Sequence, residues 1–334
     1  MTARILLGFT YSMDRIAETA QHAGVELILP SQSHEVAARM GLPTLALPSF
    51  KIDPVAAARQ LDQLIVEHDI NAVWPLATSA YDLSGITCAP VHAVAKHQTF
   101  NMVNDKAAFA SWLKTSMYRP EGVETVGAEK TIIEVLTRLE KQQQVCIKPT
   151  RGVNGGLYWQ VSCDGDLLND PAARKISPRA FEVALRERES KIGMERWLVM
   201  EVLHGPELSI DALCIEGRLL KWMVREKLSG STQMVYSDHA VMRHVRHVVK
   251  ALGLHGLVSV QYMYDPNGML KILEINLRPS GGCVSHGGVI LNKAGTSDLV
   301  TDWLQYMAGM ITTNDIRQWK GEVRINLRRT ATAE

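Results

Sequence analysis

Gln261-Tyr262-Met263-Tyr264-Asp265-Pro266-Asn267-Gly268-Met269-Leu270-Lys271-Ile272-Leu273-Glu274-Ile275-Asn276-Leu277-Arg278-Pro279 is the stretch whose pattern decides the fold. Two strand-like runs, 257–264 and 269–275, flank the turn formers Asp265-Pro266-Asn267-Gly268. Side chains alternate faces along a strand. Glu274, Asn276 and Arg278 therefore share one face, while Leu273, Ile275 and Leu277 point the other way, into a core. With Tyr264 and Met269 flanking the turn, Gln261 opposes Ile272 and lies diagonal to Glu274, within side-chain reach. One face then gathers a carboxylate, two amide carbonyls and a guanidinium. Oxygen donors of this kind suit magnesium, which completes its shell with phosphates and water. A guanidinium beside them suits a transferring phosphoryl group. A surface hairpin carrying ordinary polar residues accounts for the same pattern, so the rest of the chain must arbitrate.

Upstream, Val145-Cys146-Ile147-Lys148-Pro149 reads as a strand ending in a lysine. Arg151-Gly152-Val153-Asn154-Gly155-Gly156 follows, a glycine-rich turn whose backbone amides can approach a phosphate closely. It is not a Walker A loop, because no Gly-Lys-Ser/Thr leads into a helix. A plain turn is the competing reading. Trp197-Leu198-Val199-Met200-Glu201-Val202-Leu203-His204-Gly205-Pro206-Glu207 runs from a buried strand into a polar break with two acids. Backbone groups at such a break can pair with an adenine edge, and a carboxylate there can accept from ribose hydroxyls. An ordinary strand end with a Gly-Pro turn fits equally well.

The first hundred residues alternate short apolar runs with helical segments. Strands are expected at 5–9, 25–29, 45–47 and 71–74, and helices at 13–23, up to Met40, and at 53–67 with Pro54 just inside its start. This alternation argues for a parallel sheet with crossover helices. No GxGxxG follows the first strand, so a dinucleotide site is not indicated. Beyond Phe100 a helix at 105–114 and strands at 145–147, 158–161, 197–202 and 209–213 suggest a small α+β unit. A helix at 237–252 precedes the hairpin, and the last dozen residues are polar, as in a frayed terminus.

In order along the chain, Asn104-Asp105-Lys106, Ile147-Lys148-Pro149 with its glycine loop, Glu201 to Gly205-Pro206-Glu207, and Gln261 with Glu274-Ile275-Asn276-Leu277-Arg278-Pro279 resemble the ATP-grasp superfamily. Glutamine at the first metal position, with Glu-x-Asn-x-Arg-Pro, is most similar to the carbamoyl-phosphate-synthase-like, carboxylate–amine ligase branch. The resemblance implies an α/β and α+β fold. A Rossmann-like pre-ATP-grasp parallel-sheet domain at 1–100 would precede a two-lobed ATP-grasp domain at 101–315, with a lid at about 116–202 and a C-terminal strand and flexible tail at 316–334. It also implies roles. Lys106 and Lys148 would contact the α- and β-phosphates, and the loop of Gly152, Gly155 and Gly156 would close over them. Glu201, Val202 and Leu203 would line the adenine pocket, and Glu207 would bind ribose. Gln261, Glu274 and Asn276 would hold one or two magnesium (or manganese) ions, and Arg278 would steady the γ-phosphate and an acyl phosphate. The implied reaction is ATP-dependent ligation of a small carboxylate to an amine or other nucleophile. A non-catalytic nucleotide-binding regulatory module and a small-molecule kinase are the alternatives, and a homodimer is allowed.

Composition agrees with a globular chain: 46% of residues are hydrophobic. Thirty-six basic against 35 acidic side chains give a net charge of +1, which offers no general pull toward nucleic acid or anionic membrane. Five cysteines, none at CxxC spacing, argue against a disulfide framework or zinc knuckle and suit a reducing cytoplasm. The apolar run at 5–9 is too short for a signal peptide, and no stretch approaches the roughly 20 apolar residues of a membrane span. His239, His244 and His247 with Arg243, Arg246 and Lys250 suggest a solvated basic helix face rather than a metal site. Cys283 and His286 fall after Arg278, in an acceptor pocket or a structural loop. Arg225 and Lys227, after an apparent strand, could reach the γ-phosphate.

Overall fold

The structure is a computed structural model, described at residues 2–121, 124–126, 129–140, 144–152, 157–162, 174–192, 196–229 and 232–326. Among these residues no helix is long and apolar enough to cross a membrane. The chain forms two compact units. One comprises residues 1–101, 208–260 and 275–334, and the other 102–207 and 261–274. The units therefore interleave along the sequence, because His204–Ile215, Gly256–Tyr264 and Leu270–Asn276 are each single strands that pass from one to the other.

In the first unit, four parallel strands are ordered Thr44–Leu45, Val25–Pro30, Ala3–Leu7, Ala72–Trp74. Alternation gives the sheet two cores. Ile5, Leu7, Leu27, Leu29, Ala72 and Trp74 enter one, and Leu6, Ile28 and Val73 the other. The helix Met13–Ala23 covers the first through Met13, Ile16, Ala17 and Ala20, and it ends at Gly24 with φ of 75°, a left-handed value suited to glycine. The helix Pro54–Glu67 covers the second through Ala57, Ala58, Leu61 and Ile65. Its start is set by Asp53, whose carboxylate accepts from the Val55 and Ala56 N–H groups at 3.0 and 2.9 Å. The first core continues into the helices Gly281–Lys293 and Leu299–Met307 and into Leu213, Ile215, Met223 and Val235.

A six-stranded sheet has the order Leu270–Asn276, Gly256–Tyr264, His204–Ile215, Arg218–Ser229, Thr232–Tyr236, Glu322–Asn326. Lys221 is fully buried within it and donates to Asp302 Oδ2 at 2.7 Å, to the Ser297 carbonyl at 2.7 Å and to Thr296 Oγ1 at 3.0 Å. The terminal strand Glu322–Asn326 pairs antiparallel with Thr232–Tyr236, so this part of the polar C-terminal stretch is not frayed.

In the second unit, five strands are ordered Glu124–Val126, Trp197–Glu201, Val145–Pro149, Trp159–Val161, Lys175–Ile176. Val145, Ile147, Trp197 and Val199 pack against the helices Glu129–Glu140 and Pro178–Ile192. Cys146, Leu198 and Met200 face the other way, toward Ala107 and Ala110 of the helix Lys106–Trp112.

Three expectations are corrected. The helix expected at 237–252 begins at Met242, and 237–241 is extended and turn backbone. Arg225 and Lys227 lie inside the long strand Arg218–Ser229 rather than after a strand. Cys283 and His286 lie on the helix Gly281–Lys293, not in a loop.

Candidate functional site

Lys148 occupies an even position of Val145–Pro149, between neighbours committed to the helix-covered core. Its side chain therefore shares the opposite face with Cys146, whose surroundings are Leu198, Met200, Val202 and Leu203. Lys148 is 7% exposed, and among the described residues nothing pairs with its ammonium. A buried cation without a counter-charge is costly, so its environment is suited to an anion that arrives from outside.

Lys106 stands in the same place. Asp105 caps its helix, accepting from the Ala107 and Ala108 N–H groups at 3.0 and 3.1 Å. The Lys106 N–H donates to the Thr150 carbonyl at 2.8 Å, and Nζ donates to the Gly152 carbonyl at 2.9 Å. Burial and the nearby Lys148 ammonium lower the Lys106 pKa, while Glu274 and Asp105 act in the opposite sense. A lysine at the positive end of a helix, beside a second lysine, is electrostatically unfavourable in the free protein. A polyphosphate would relieve all of this at once. Gly152 thus joins the site through its carbonyl, whereas Gly155 and Gly156 lie outside the described residues.

Gln261 Nε2 donates to Glu207 Oε1 at 2.8 Å, which turns two of the expected ligand residues toward each other. The turn is not closed as expected. The Asp265 N–H donates to the Met269 carbonyl at 2.9 Å, and the Asp265 carboxylate accepts from Asn267 and Met269 N–H groups at 2.9 and 2.8 Å. Asp265, not Tyr264, is therefore the partner of Met269, because its carboxylate organises the turn. Glu274 and Asn276 follow two apart on the strand Leu270–Asn276 and so face the same side. Among the described residues no group of three or more His, Cys, Asp or Glu could hold a metal. Of the residues expected at a metal, Glu274 supplies a carboxylate and Gln261 and Asn276 amide oxygens, and Glu207 stands beside Gln261. These donors are all oxygens, which fits magnesium and excludes a soft-metal site.

The Glu201 side chain is engaged elsewhere. It is buried, accepts from the Glu121 N–H at 2.6 Å, and has its pKa raised by that burial. The Glu201 backbone is engaged as well, its N–H donating to the Glu121 carbonyl at 3.2 Å, while in the two-residue break before the strand His204–Ile215 the Val202 N–H donates to the Gln144 carbonyl at 3.0 Å. Cys146 donates to the Glu201 carbonyl at 3.5 Å, and burial pushes its thiol up to about 11, so it is inert.

Asn276 and Arg278 are counted with the first unit. The Arg278 guanidinium lies 4.5 Å from the centre of the Tyr11 ring and donates to the Pro279 carbonyl at 3.3 Å. His286 has its pKa lowered by burial and by Arg225 and Arg15. The Cys283 thiol is pushed well up, chiefly by burial and then by Asp211. Tyr11 and Asp211 were not among the expected site residues, and Arg225, expected near the γ-phosphate, is paired with Asp211. Asp211 had a signal, as a charge inside an otherwise apolar strand run, whereas Arg225 opens the charged triplet Arg225-Glu226-Lys227. Tyr11 had none, since its contact is tertiary. Of the basic helix face, Arg243, Arg246, His247 and Lys250 are exposed as expected. His244 is not. It is buried, and burial with the neighbouring His247 charge pushes its pKa down to about 4.

Residues 193–331 match the family model described as ATP-grasp in the biosynthetic pathway with Ter operon. Among solved structures, the biotin carboxylase domain of the Hydrogenobacter thermophilus 2-oxoglutarate carboxylase, determined with Mg-ADP and bicarbonate, is 15% identical with a TM-score of 0.61. That alignment covers 97% of this chain and 74% of the other. L-amino acid ligase from Bacillus licheniformis is 18% identical, with a TM-score of 0.59 and coverage of 95% and 77%. N5-carboxyaminoimidazole synthetase from Staphylococcus aureus, complexed with ADP, is 13% identical, with a TM-score of 0.62 and coverage of 95% and 79%. At these identities the likeness is one of fold. No curated protein sequence matches the chain.

Proposed function

We propose that this chain is an ATP-grasp protein that works as an ATP-dependent ligase joining a small carboxylate to an amine or other nucleophile. The observation that carries the reading is Lys148, buried with no hydrogen-bond or ion-pair partner among the described residues and close to the Lys106 ammonium. In this reading Lys106 and Lys148 hold the α- and β-phosphates. Gly152, whose carbonyl accepts from Lys106 Nζ, lies beside them, at the start of the stretch expected to close over the phosphates. The Glu201 backbone, Val202 and Leu203 border the adenine, and Glu207 takes the ribose. Gln261, Glu274 and Asn276 hold magnesium, which when bound offsets the negative charge that repels an attacking carboxylate. Arg278 supplies a guanidinium for the γ-phosphate.

The substrate carboxylate oxygen attacks the γ-phosphorus, the bond to the ADP oxygen breaks, and ADP leaves. The nucleophile then attacks the acyl carbon, the carbon–oxygen bond to phosphate breaks, and inorganic phosphate leaves as the nucleophile loses a proton to water. Arg278 compensates charge in both steps, first on the phosphoryl group and then on the leaving phosphate. Lysine could not replace its planar fork.

ADP release measured across small carboxylates, with and without an amine, tests the proposal. Acceptor-dependent ADP release supports ligation. A stable phosphorylated product indicates a kinase instead. Mg-ATP binding without turnover on any carboxylate favours a nucleotide-binding module. Gln261 is the residue that gives the last alternative substance, because a neutral ligand holds magnesium more weakly than a carboxylate.

A further inference from the structure

We propose that Arg225 is a positioning residue for Arg278, acting through Ser280 and the first turn of the helix Gly281–Lys293. Arg225 is 4% exposed in the middle of Arg218–Ser229. Its Nε donates to Asp211 Oδ2 at 2.7 Å, Nη1 to Gln233 Oε1 at 3.3 Å and Nη2 to Ser280 Oγ at 2.9 Å. The guanidinium also lies against the helix backbone. A Cβ added to Gly282 would sit 2.4 Å from its central carbon and 2.5 and 2.7 Å from its terminal nitrogens. Glycine at 282 is thus what lets the helix start rest on the arginine.

Ser280 joins the two elements. Its Oγ accepts from Arg225 and also from the Cys283 N–H at 2.9 Å, the bond that caps the helix. Arg278 stands two residues earlier, with the φ of Pro279 fixed between them. Among the described residues of this unit, the anchors of Arg278 are soft ones, the Tyr11 ring and the adjacent Pro279 carbonyl. The direction in which it leaves the backbone therefore follows from where Ser280 is held. The buried pair brings little stability to account for its presence. Two buried charges are commonly no more stabilising than an apolar pair of the same volume. Here, moreover, Asp211 Oδ1 is buried without a hydrogen-bond partner. A fixed geometry at Ser280 is what the arrangement does provide.

The inference rests on the ligase reading only for what Arg278 does with a phosphate. Two variants test it: Arg225→Lys keeps the charge for Asp211 but loses the fork, and Ser280→Ala removes only the joint. Both should bind Mg-ADP within about twofold of wild type. Both should bind a non-hydrolysable ATP analogue about tenfold more weakly, the order expected for losing one charge-assisted hydrogen bond to the γ-phosphate. In side-chain NMR the Arg278 Nε–H resonance, displaced by the Tyr11 ring current, should move toward its free position in both. Wild-type nucleotide preference with an unmoved Arg278 resonance overturns the proposal. So does an equal loss of both nucleotides, which marks a merely structural role. If the wild-type protein binds neither nucleotide, the ligase reading fails, and the Arg278 resonance alone decides the positioning claim.

Discussion

Acidification should destabilise this protein steeply, beginning well above the usual carboxylate range. His92 Nδ1 and His255 Nε2 are 3.0 Å apart, with their rings 9° from parallel and centroids 5.3 Å apart. Those values describe two imidazoles bonded edge to edge rather than stacked face to face. The Glu216 N–H donates to His255 Nδ1 at 3.3 Å, which puts the His255 proton on Nε2 and makes His92 the acceptor. A proton added to His92 Nδ1 would point at the Nε2–H of His255. One added to His255 Nδ1 would point at the Glu216 N–H. Either way a bond is lost, and the groups packed around the pair, Trp303 and Tyr306, supply no compensating charge. Burial, with His255 second, pushes the His92 pKa down to about 4, and burial lowers His255 too, against the opposing Glu216 carboxylate. His244 is likewise pushed down to about 4.

These folded-state values lie below the ordinary 6.5 of the unfolded chain, so the unfolded chain binds more protons. Stability is then complete above about pH 6.5 and falls as the pH drops toward 4. Each such histidine costs about 1.4 kcal/mol per pH unit in that window, or about 2 kcal/mol by pH 5. His92 and His244 together give a loss of about 4 kcal/mol, a large part of a typical folding free energy of about 5–15 kcal/mol. Urea unfolding at about pH 7 and pH 5 measures it. His92→Gln, whose side-chain oxygen can still accept from His255 but cannot titrate, should recover about half of the loss. Equal stability at the two pH values would refute the reasoning, as would an NMR titration placing His92 near 6.5 in the folded protein.

Lys148→Met should weaken Mg-ATP binding by about 100-fold or more in calorimetry, while leaving the urea midpoint unchanged or higher, because an uncompensated buried charge is removed. Glu274→Gln should abolish ADP release with circular dichroism unchanged, and wild-type turnover would remove Glu274 from the metal set. Asp302→Ala should cost about 3–5 kcal/mol in urea unfolding, because it strands the fully buried Lys221. Lys221→Met should cost a similar amount, since it strands the buried Asp302 carboxylate in turn.

The parts of the fold carried by local signals were legible in the sequence. The helix Met13–Ala23 has an unbroken apolar stripe and a glycine directly after it, and Pro54–Glu67 has Asp53 and Pro54 at its start. The residues expected on the nucleotide side were singled out by their order along the chain, which is informative even when each motif is modest. Lys106, Lys148 and Glu274 do come together. The long strands His204–Ile215 and Arg218–Ser229 were legible only in part, because Asp211, Lys221 and Arg225 break the apolar pattern. Asp211 and Arg225 pair with each other, and the groups that complete the set for Arg225 and Lys221 include Ser280 and Asp302, far away in sequence. The helix Gly281–Lys293 was hidden by its four glycines, which argue locally for a loop. Its packing on the first core overrides that preference. The turn at Asp265 was misjudged by one residue because its carboxylate, rather than the Pro-Asn pair alone, closes it.

The core beneath the parallel sheet has a consequence for how the chain is made. Met13, Ile16, Ala17 and Ala20 find their partners in Leu299, Val300, Trp303 and Leu304, near the opposite end of the sequence. A ribosome adding about 5–20 residues per second needs roughly 15–55 s to travel that distance. Throughout that interval the first helix has emerged without the cover that Leu299–Met307 gives it in the folded chain. The N-terminal segment is thus a client for holding factors until the last helix arrives, and its aggregation during synthesis should rise with translation pauses placed between the two.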